Sequence, residues 1–195
     1  MNDRFFYDTE TTGFPLWSQP SDDIRQPHLV QLAWIIGDKE GSRIIKPEGW
    51  TIPDEVAKIH GITTERALDE GLPLRVVIDE FVEDVVRKDS FLHRVAHNES
   101  FDSRIMRIAL KRARDSLSND WVNGASECTM AMSVSLCKIP PTPKMRAAKR
   151  FGFKSPNLRE AYKHFTGLEL DGAHDAINDV RACRAVYLAI KGGDL

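Results

Sequence analysis

Cysteine is scarce in this chain of 195 residues, and the three present, Cys128, Cys137 and Cys183, form no C-x-x-C pair. An odd, scattered set of this kind argues against a disulfide framework or a zinc site, and for a reducing, cytoplasmic interior. Long apolar runs are also missing: none approaches the ~18 residues needed to cross a bilayer, so no membrane partner is expected. The N-terminal residues show no basic region followed by a long apolar stretch, as an export signal would. There is no internal repeat, no low-complexity segment and no long linker, which leaves a single domain over residues 1–195 as the expectation. A large charge of one sign is absent too. The net charge of −2 and the pI near 6.3 argue against a protein that coats nucleic acid indiscriminately.

What charge there is has a pattern. Between Lys138 and Arg159 lie seven Lys or Arg and no acid, and between Arg104 and Arg114 five more basic residues and no acid. Acids gather elsewhere, notably over residues 69–89. A basic run is ordinarily a solvated surface. These two flank a pair of carboxylate motifs described below, which favours attraction of phosphate.

Hydrophobic periodicity outlines an α/β domain with a mixed sheet. Residues 4–8 predict a short buried strand ended by Gly13 and Pro15. A polar loop with two prolines follows over 16–27, then a strand over 28–37, a turn over 38–41 and a strand over 42–46. Residues 53–60 predict a short helix with Pro53 at its start and Gly61 as its cap. Over 74–87, Ile78, Phe81, Val82 and Val85 make one apolar helical face, with Asp79, Glu80, Glu83 and Asp84 expected outward. Residues 91–96 predict a strand, followed by a helix striped by Phe101, Ile105 and Ile108. Residues 115–126 read as a loop, 127–136 as either strand or helix, and 138–156, with Pro140-Pro141 and Pro143, as largely irregular. Helices over 157–165 and 175–191 close the domain, the last burying Val180, Cys183, Tyr187 and Ile190.

Three short motifs carry the chemistry: Phe6-Tyr7-Asp8-Thr9-Glu10-Thr11-Thr12-Gly13, His97-Asn98-Glu99-Ser100-Phe101-Asp102 and His174-Asp175-Ala176-Ile177-Asn178-Asp179. A strand alternates its side chains, so Asp8 and Glu10 project from one face. Two carboxylates on one face repel unless a cation lies between them. Mg²⁺ and Mn²⁺ favour such oxygen donors, and two ions about 3.5–4 Å apart can act together on a phosphodiester. Asp8, Glu10, Asp102 and Asp179 supply the required acids. A histidine beside such a pair, here His174, can take a proton from an attacking water. Each residue also has a plainer use. Asp102 can serve the dipole of a helix start, Asn98 or Ser100 can be an N-cap, and Asp-x-Glu can be two solvated acids. Asp175 shares a helical face with Asp179 and is an alternative ligand.

On these motifs the chain resembles the DEDDh 3'→5' exonucleases, the DnaQ-like family of the polymerase III epsilon proofreading subunit and ribonuclease T. Asp8-Thr9-Glu10-Thr11-Thr12-Gly13 is similar to the family's first motif and His97 to Asp102 to its second. His174 with Asp179 five residues later is similar to the third, and Lys58-Ile59-His60-Gly61-Ile62-Thr63 to its His-Gly-Ile-Thr segment. The resemblance implies a ribonuclease-H-like fold, a central mixed β-sheet flanked by α-helices. It implies two Mg²⁺ or Mn²⁺ ions held by Asp8, Glu10, Asp102 and Asp179, with His174 as general base. Thr9, Thr11, Thr12, Phe14, His60, Asn98 and Phe101 are expected to bind the terminal nucleotide. The expected activity is a metal-dependent 3'→5' exonuclease on single-stranded or frayed DNA, in proofreading or repair, with a DNA polymerase as a separate partner. An exoribonuclease trimming RNA 3' ends shares every one of these residues. An inactive module binding nucleic acid or a polymerase predicts the loss of a carboxylate or of the histidine, and all are present.

Overall fold

The protein is described by a computed structural model over residues 3–88, 90–172 and 175–193. Strands β1 (Arg4–Thr11), β2 (Leu29–Ile36) and β3 (Lys39–Ile44) come first, then helices α1 (Asp54–His60), α2 (Thr64–Glu70) and α3 (Leu74–Val85). A small hairpin, β4 (Val86–Arg87) and β5 (Ser90–Phe91), leads to β6 (His93–Ala96) and helix α4 (Glu99–Ala113). Beyond it lie α5 (Ser118–Asn123), β7 (Ser126–Cys128), α6 (Thr129–Cys137), α7 (Pro143–Ala147), α8 (Leu158–Thr166) and α9 (Ala176–Lys191). The main sheet has the order β3-β2-β1-β6-β7, antiparallel from β3 to β1 and parallel from β1 to β7.

Helices cover both faces of this sheet, which is why three consecutive apolar residues, Phe5-Phe6-Tyr7, follow Arg4 in β1. Phe5 and Tyr7 enter a core shared with α3, α4 and Trp121 of α5. Phe6, from the opposite face, packs with Ala33, Ile35, Val95 and the Val180, Cys183 and Tyr187 stripe of α9. Fully burying such aromatic and aliphatic side chains contributes about 1.5–3 kcal/mol each. The mixed sheet and flanking helices are those expected of the ribonuclease-H-like fold.

Several elements depart from the expectations. β1 continues to Thr11, because β2 offers its backbone a partner past the acids, through a bulge between Glu10 and Thr11. The apolar run at 91–96 divides, Phe91 pairing back onto Val86 while His93 starts the sheet strand. Residues 126–137 are strand and helix in succession, and α2 adds an unexpected helix capped by the Thr63 hydroxyl, which accepts from the Arg66 N–H at 3.2 Å. Asp84 does not face outward: it is 6% exposed and accepts from the Trp34 indole N–H at 2.8 Å and Lys39 Nζ at 2.5 Å. The buried indole of β2 needs an acceptor, and Asp84 is the one within reach. The loop expected over 115–126 is a single turn of 3₁₀ helix followed by α5, organised around the fully buried Trp121.

Candidate active site

Strand alternation sets the site. Asp8 and Glu10 share a face with Phe6, and on that face the Phe6 ring packs edge-on against Tyr187, centroids 5.3 Å apart. Asp179 precedes Tyr187 by eight residues, two turns along the same helix, and therefore arrives at the acids of β1. Carboxylate oxygens of Asp8, Glu10 and Asp179 all lie within 4.8 Å of one another. The electrostatic consequence is severe. Burial, then the charges of Asp102 and Asp179, hold the Asp8 carboxyl well above its usual range. Burial, then Asp8, Asp179 and Asp175, push Glu10 up to about 9. A cation placed among these carboxylates would relieve the repulsion that resists their ionisation. The donors are all carboxylates, which suits a hard divalent ion rather than a soft one.

Asp102 comes from the other side of the sheet. Asn98 turns the chain out of β6 in a left-handed conformation, φ 70°, and the carbonyl of Asn98 accepts the N–H of Phe101 as α4 begins. Asp102, one residue further, is 3% exposed, and its Oδ1 accepts from the backbone N–H of Thr9 at 3.1 Å and its hydroxyl at 2.7 Å. Burial pushes Asp102 up to about 8, against the lowering effect of those Thr9 bonds. It stands behind the trio of acids, pressed against Asp8 electrostatically. Asp175 occupies the N-cap of α9, where its carbonyl accepts from the N–H groups of Asn178 and Asp179 at 2.9 and 3.1 Å. His174 lies outside the described residues.

Beside Glu10 opens a cavity of about 150 Å³, bordered by Thr11, Gly13, Phe14, His60 and Phe101 together with Val56 and Ile59 of α1. Phe14 is 84% exposed and meets Phe101 edge to face, centroids 6.0 Å apart. His60 is buried, its Nδ1 accepting the Ile62 N–H at 3.1 Å. Four of the seven residues expected around the nucleotide thus meet in one place. The other three are used differently. Thr9, on the opposite face of β1, is buried and holds Asp102. Thr12 accepts the His28 N–H at 2.9 Å and prolongs the β1–β2 pairing, and Asn98 makes the turn into α4. Val56 and Ile59 were not anticipated. An exposed isoleucine in the Lys58-Ile59-His60-Gly61 segment was the available signal.

Residues 5–187 match the RNase_T family model, described as Exonuclease. Among solved structures, the chain is similar to E. coli Exonuclease I in complex with a dA16 oligonucleotide, at 20% identity and TM-score 0.72, with 97% of this chain and 40% of that one covered. It is similar to the zinc-bound E. coli ExoI–ssDNA complex, at 18% identity and TM-score 0.68, covering 96% and 40%. A moderately thermophilic Exonuclease I from Methylocaldum szegediense gives 24% identity and TM-score 0.69, covering 97% and 40%. The chain therefore spans about two-fifths of the length of these exonucleases. No curated protein sequence matches it.

Proposed function

The chain belongs to the RNase_T exonuclease family, and from that premise we propose that it is a 3'→5' exonuclease releasing nucleotides from single-stranded or frayed DNA ends. The observation that carries this reading is the meeting of Asp8, Glu10 and Asp179 within 4.8 Å, with Glu10 bordering a small apolar cavity. Asp8, Glu10 and Asp179, with Asp102 behind them, would hold two Mg²⁺ or Mn²⁺ ions. When bound, such ions activate water and stabilise the leaving oxygen of a phosphodiester. His174 takes the proton of the attacking water. Phe14 and Phe101, which border the cavity, stack on the terminal base. Stacking is tolerant of base identity, as nucleotide-by-nucleotide degradation requires. Support for DNA as substrate comes from the oligonucleotides bound to the similar exonuclease I structures. Proofreading or repair beside a separate polymerase is the setting such an activity serves.

The test uses 5'-labelled single-stranded DNA and RNA of one sequence, with Mg²⁺ or Mn²⁺ and an EDTA control. The expected result is a ladder shortening from the 3' end of the DNA and abolished by EDTA. Faster shortening of the RNA overturns the substrate and makes the protein an exoribonuclease. No cleavage of either polymer overturns the enzyme and leaves a binding module.

A further inference from the structure

The fold treats the two basic runs in opposite ways. In α4, Arg104 donates to Ser21 Oγ at 2.7 Å and to the Gln19 carbonyl, and Arg112 donates to the carbonyls of Gln26 and Pro27, each at 2.8 Å. Lys111 pairs with Asp115 and Arg114 with Asp79, both at 2.6 Å. These cations staple the loop between β1 and β2 or neutralise acids. From the end of α6 to the start of α8 the outcome reverses. Lys138, Lys144, Arg146, Lys149, Arg150 and Arg159 are exposed, and among the described residues none of them pairs with a carboxylate; Lys154 alone does, with Glu160. Two large apolar rings stand among them in water, Phe151 at 72% and Phe153 at 47% exposure. Lys144, Met145, Arg150, Phe153 and Lys154 border an open concavity of about 790 Å³.

This segment is fixed to the catalytic edge of the sheet. His97 follows the last residue of β6; its Nδ1 lies 2.9 Å from Thr129 Oγ1 and its Nε2 3.1 Å from the Pro156 carbonyl. β6 runs parallel to β1, so the strand ends that carry His97 and the acids Asp8 and Glu10 lie on one edge. The Lys154 N–H closes the segment onto the Ile139 carbonyl at 2.9 Å. Unneutralised cations interleaved with exposed aromatic rings fit one class of ligand, an unpaired nucleic-acid strand, which offers phosphates to the first and base faces to the second. A closed duplex or an acidic peptide leaves the rings idle.

We propose that residues 138–156 bind the substrate strand on the 5' side of the nucleotide being removed, with Lys144, Arg146 and Arg150 on phosphates and Phe151 and Phe153 under bases. The inference rests on the exonuclease reading, and the test separates the two. Binding of fluorescein-labelled dT20 to the full chain is measured in EDTA, beside hydrolysis of the p-nitrophenyl ester of thymidine 5'-monophosphate with Mn²⁺, a substrate too small to reach the segment. In a Lys144→Ala, Arg146→Ala, Arg150→Ala variant, dT20 affinity falls about tenfold or more. The slope of log affinity against log salt falls by about 2, three contacts at ~0.7 each. In a Phe151→Ala, Phe153→Ala variant, dT20 affinity falls at least about fivefold with the salt slope kept. Thermal melting and ester hydrolysis stay at the parent level in both. Unchanged dT20 binding in both variants, or equal losses for dT20 and a polyglutamate peptide, overturns the proposal. Absence of ester hydrolysis by the parent protein defeats the exonuclease reading instead, and leaves the binding result to be judged by itself.

Discussion

Asp179 and Asp175 stand four residues apart and illustrate how geometry divides two like residues. Asp179 meets Asp8 and Glu10, whereas Asp175 is exposed at the N-cap of α9 and reaches Glu10 only as the weakest of its charged neighbours. Asp179→Ala is therefore expected to lower kcat by at least about a thousandfold, several kcal/mol of lost charge stabilisation. Asp175→Ala should cost less than about tenfold. Steady-state kinetics on labelled DNA compares them, and greater damage at Asp175 would reverse the assignment. Thr9 carries the second prediction at this scale. Its hydroxyl and N–H favour the ionised form of Asp102. Thr9→Val removes the hydroxyl, raises the Asp102 carboxyl further, and shifts the acid limb of the pH–rate profile upward. A hydrogen bond to a charged group is worth about 1.5–3 kcal/mol, so kcat below neutrality should fall about tenfold or more, with Thr9→Ser restoring the profile. The shared face of Asp8 and Glu10 was legible because a two-residue spacing on a strand dictates it, and Asp179 joins them as the motif resemblance implies. Thr9 was misplaced, although the alternation that puts Asp8 and Glu10 on one face puts Thr9 on the other.

Helix α5 shows where periodicity runs out. It has six residues, too few for a pattern, in a polar stretch with a single tryptophan. That tryptophan is the hub of the wall behind the site. Tyr7 and Phe91 meet Trp121 edge to face at 5.4 and 5.1 Å, its Nε1–H donates to the Ser103 carbonyl at 3.1 Å, and the Arg94 guanidinium lies 4.8 Å above its ring. Arg94 in turn donates to the Trp121 carbonyl and to Glu99 in the first turn of α4, the turn that carries Asp102. Trp121→Ala is expected to destabilise the protein by about 3–5 kcal/mol, measured by urea denaturation. A loss below about 1 kcal/mol would show that α5 is peripheral. The same limit hid α2, seven residues long, whereas the inward turn of Asp84 in α3 was hidden because its partner Trp34 lies fifty residues away. By contrast, α3, α4 and α9 are long enough to declare a face, and each packs on the face expected.

At the scale of the molecule, the mixed α/β architecture was legible from hydrophobic periodicity, but the energetic cost of gathering its acids at one sheet edge was not. In the bare protein Glu10 holds its proton up to about 9 and Asp102 up to about 8, with Asp8 shifted the same way, above ordinary values of 4.5 and 3.8. The unfolded chain releases those protons near the ordinary values, so between them and the raised values the folded state binds more protons. Stability must then fall as pH rises through that window. His28 works in the opposite sense. Burial and Arg112 lower it to about 4, so its contribution is lost only as pH falls below its ordinary 6.5. Measured from pH about 7 to about 9, where His28 is neutral in both states, the acid cluster is seen without it. In EDTA the melting temperature should drop steadily across this interval. Divalent cations displace the same protons, and a ligand of the folded state at a hundred times its Kd adds about 2.7 kcal/mol. Mg²⁺ or Mn²⁺ should therefore raise the melting temperature, and by more at the alkaline end. Asp8→Asn removes one of the repelling charges. It should melt higher than the parent in EDTA, show a shallower pH slope, and lose most of the gain from metal along with its activity. A melting temperature that ignores both pH and metal across this range would mean that the acids ionise independently, and the cluster would no longer argue for cations.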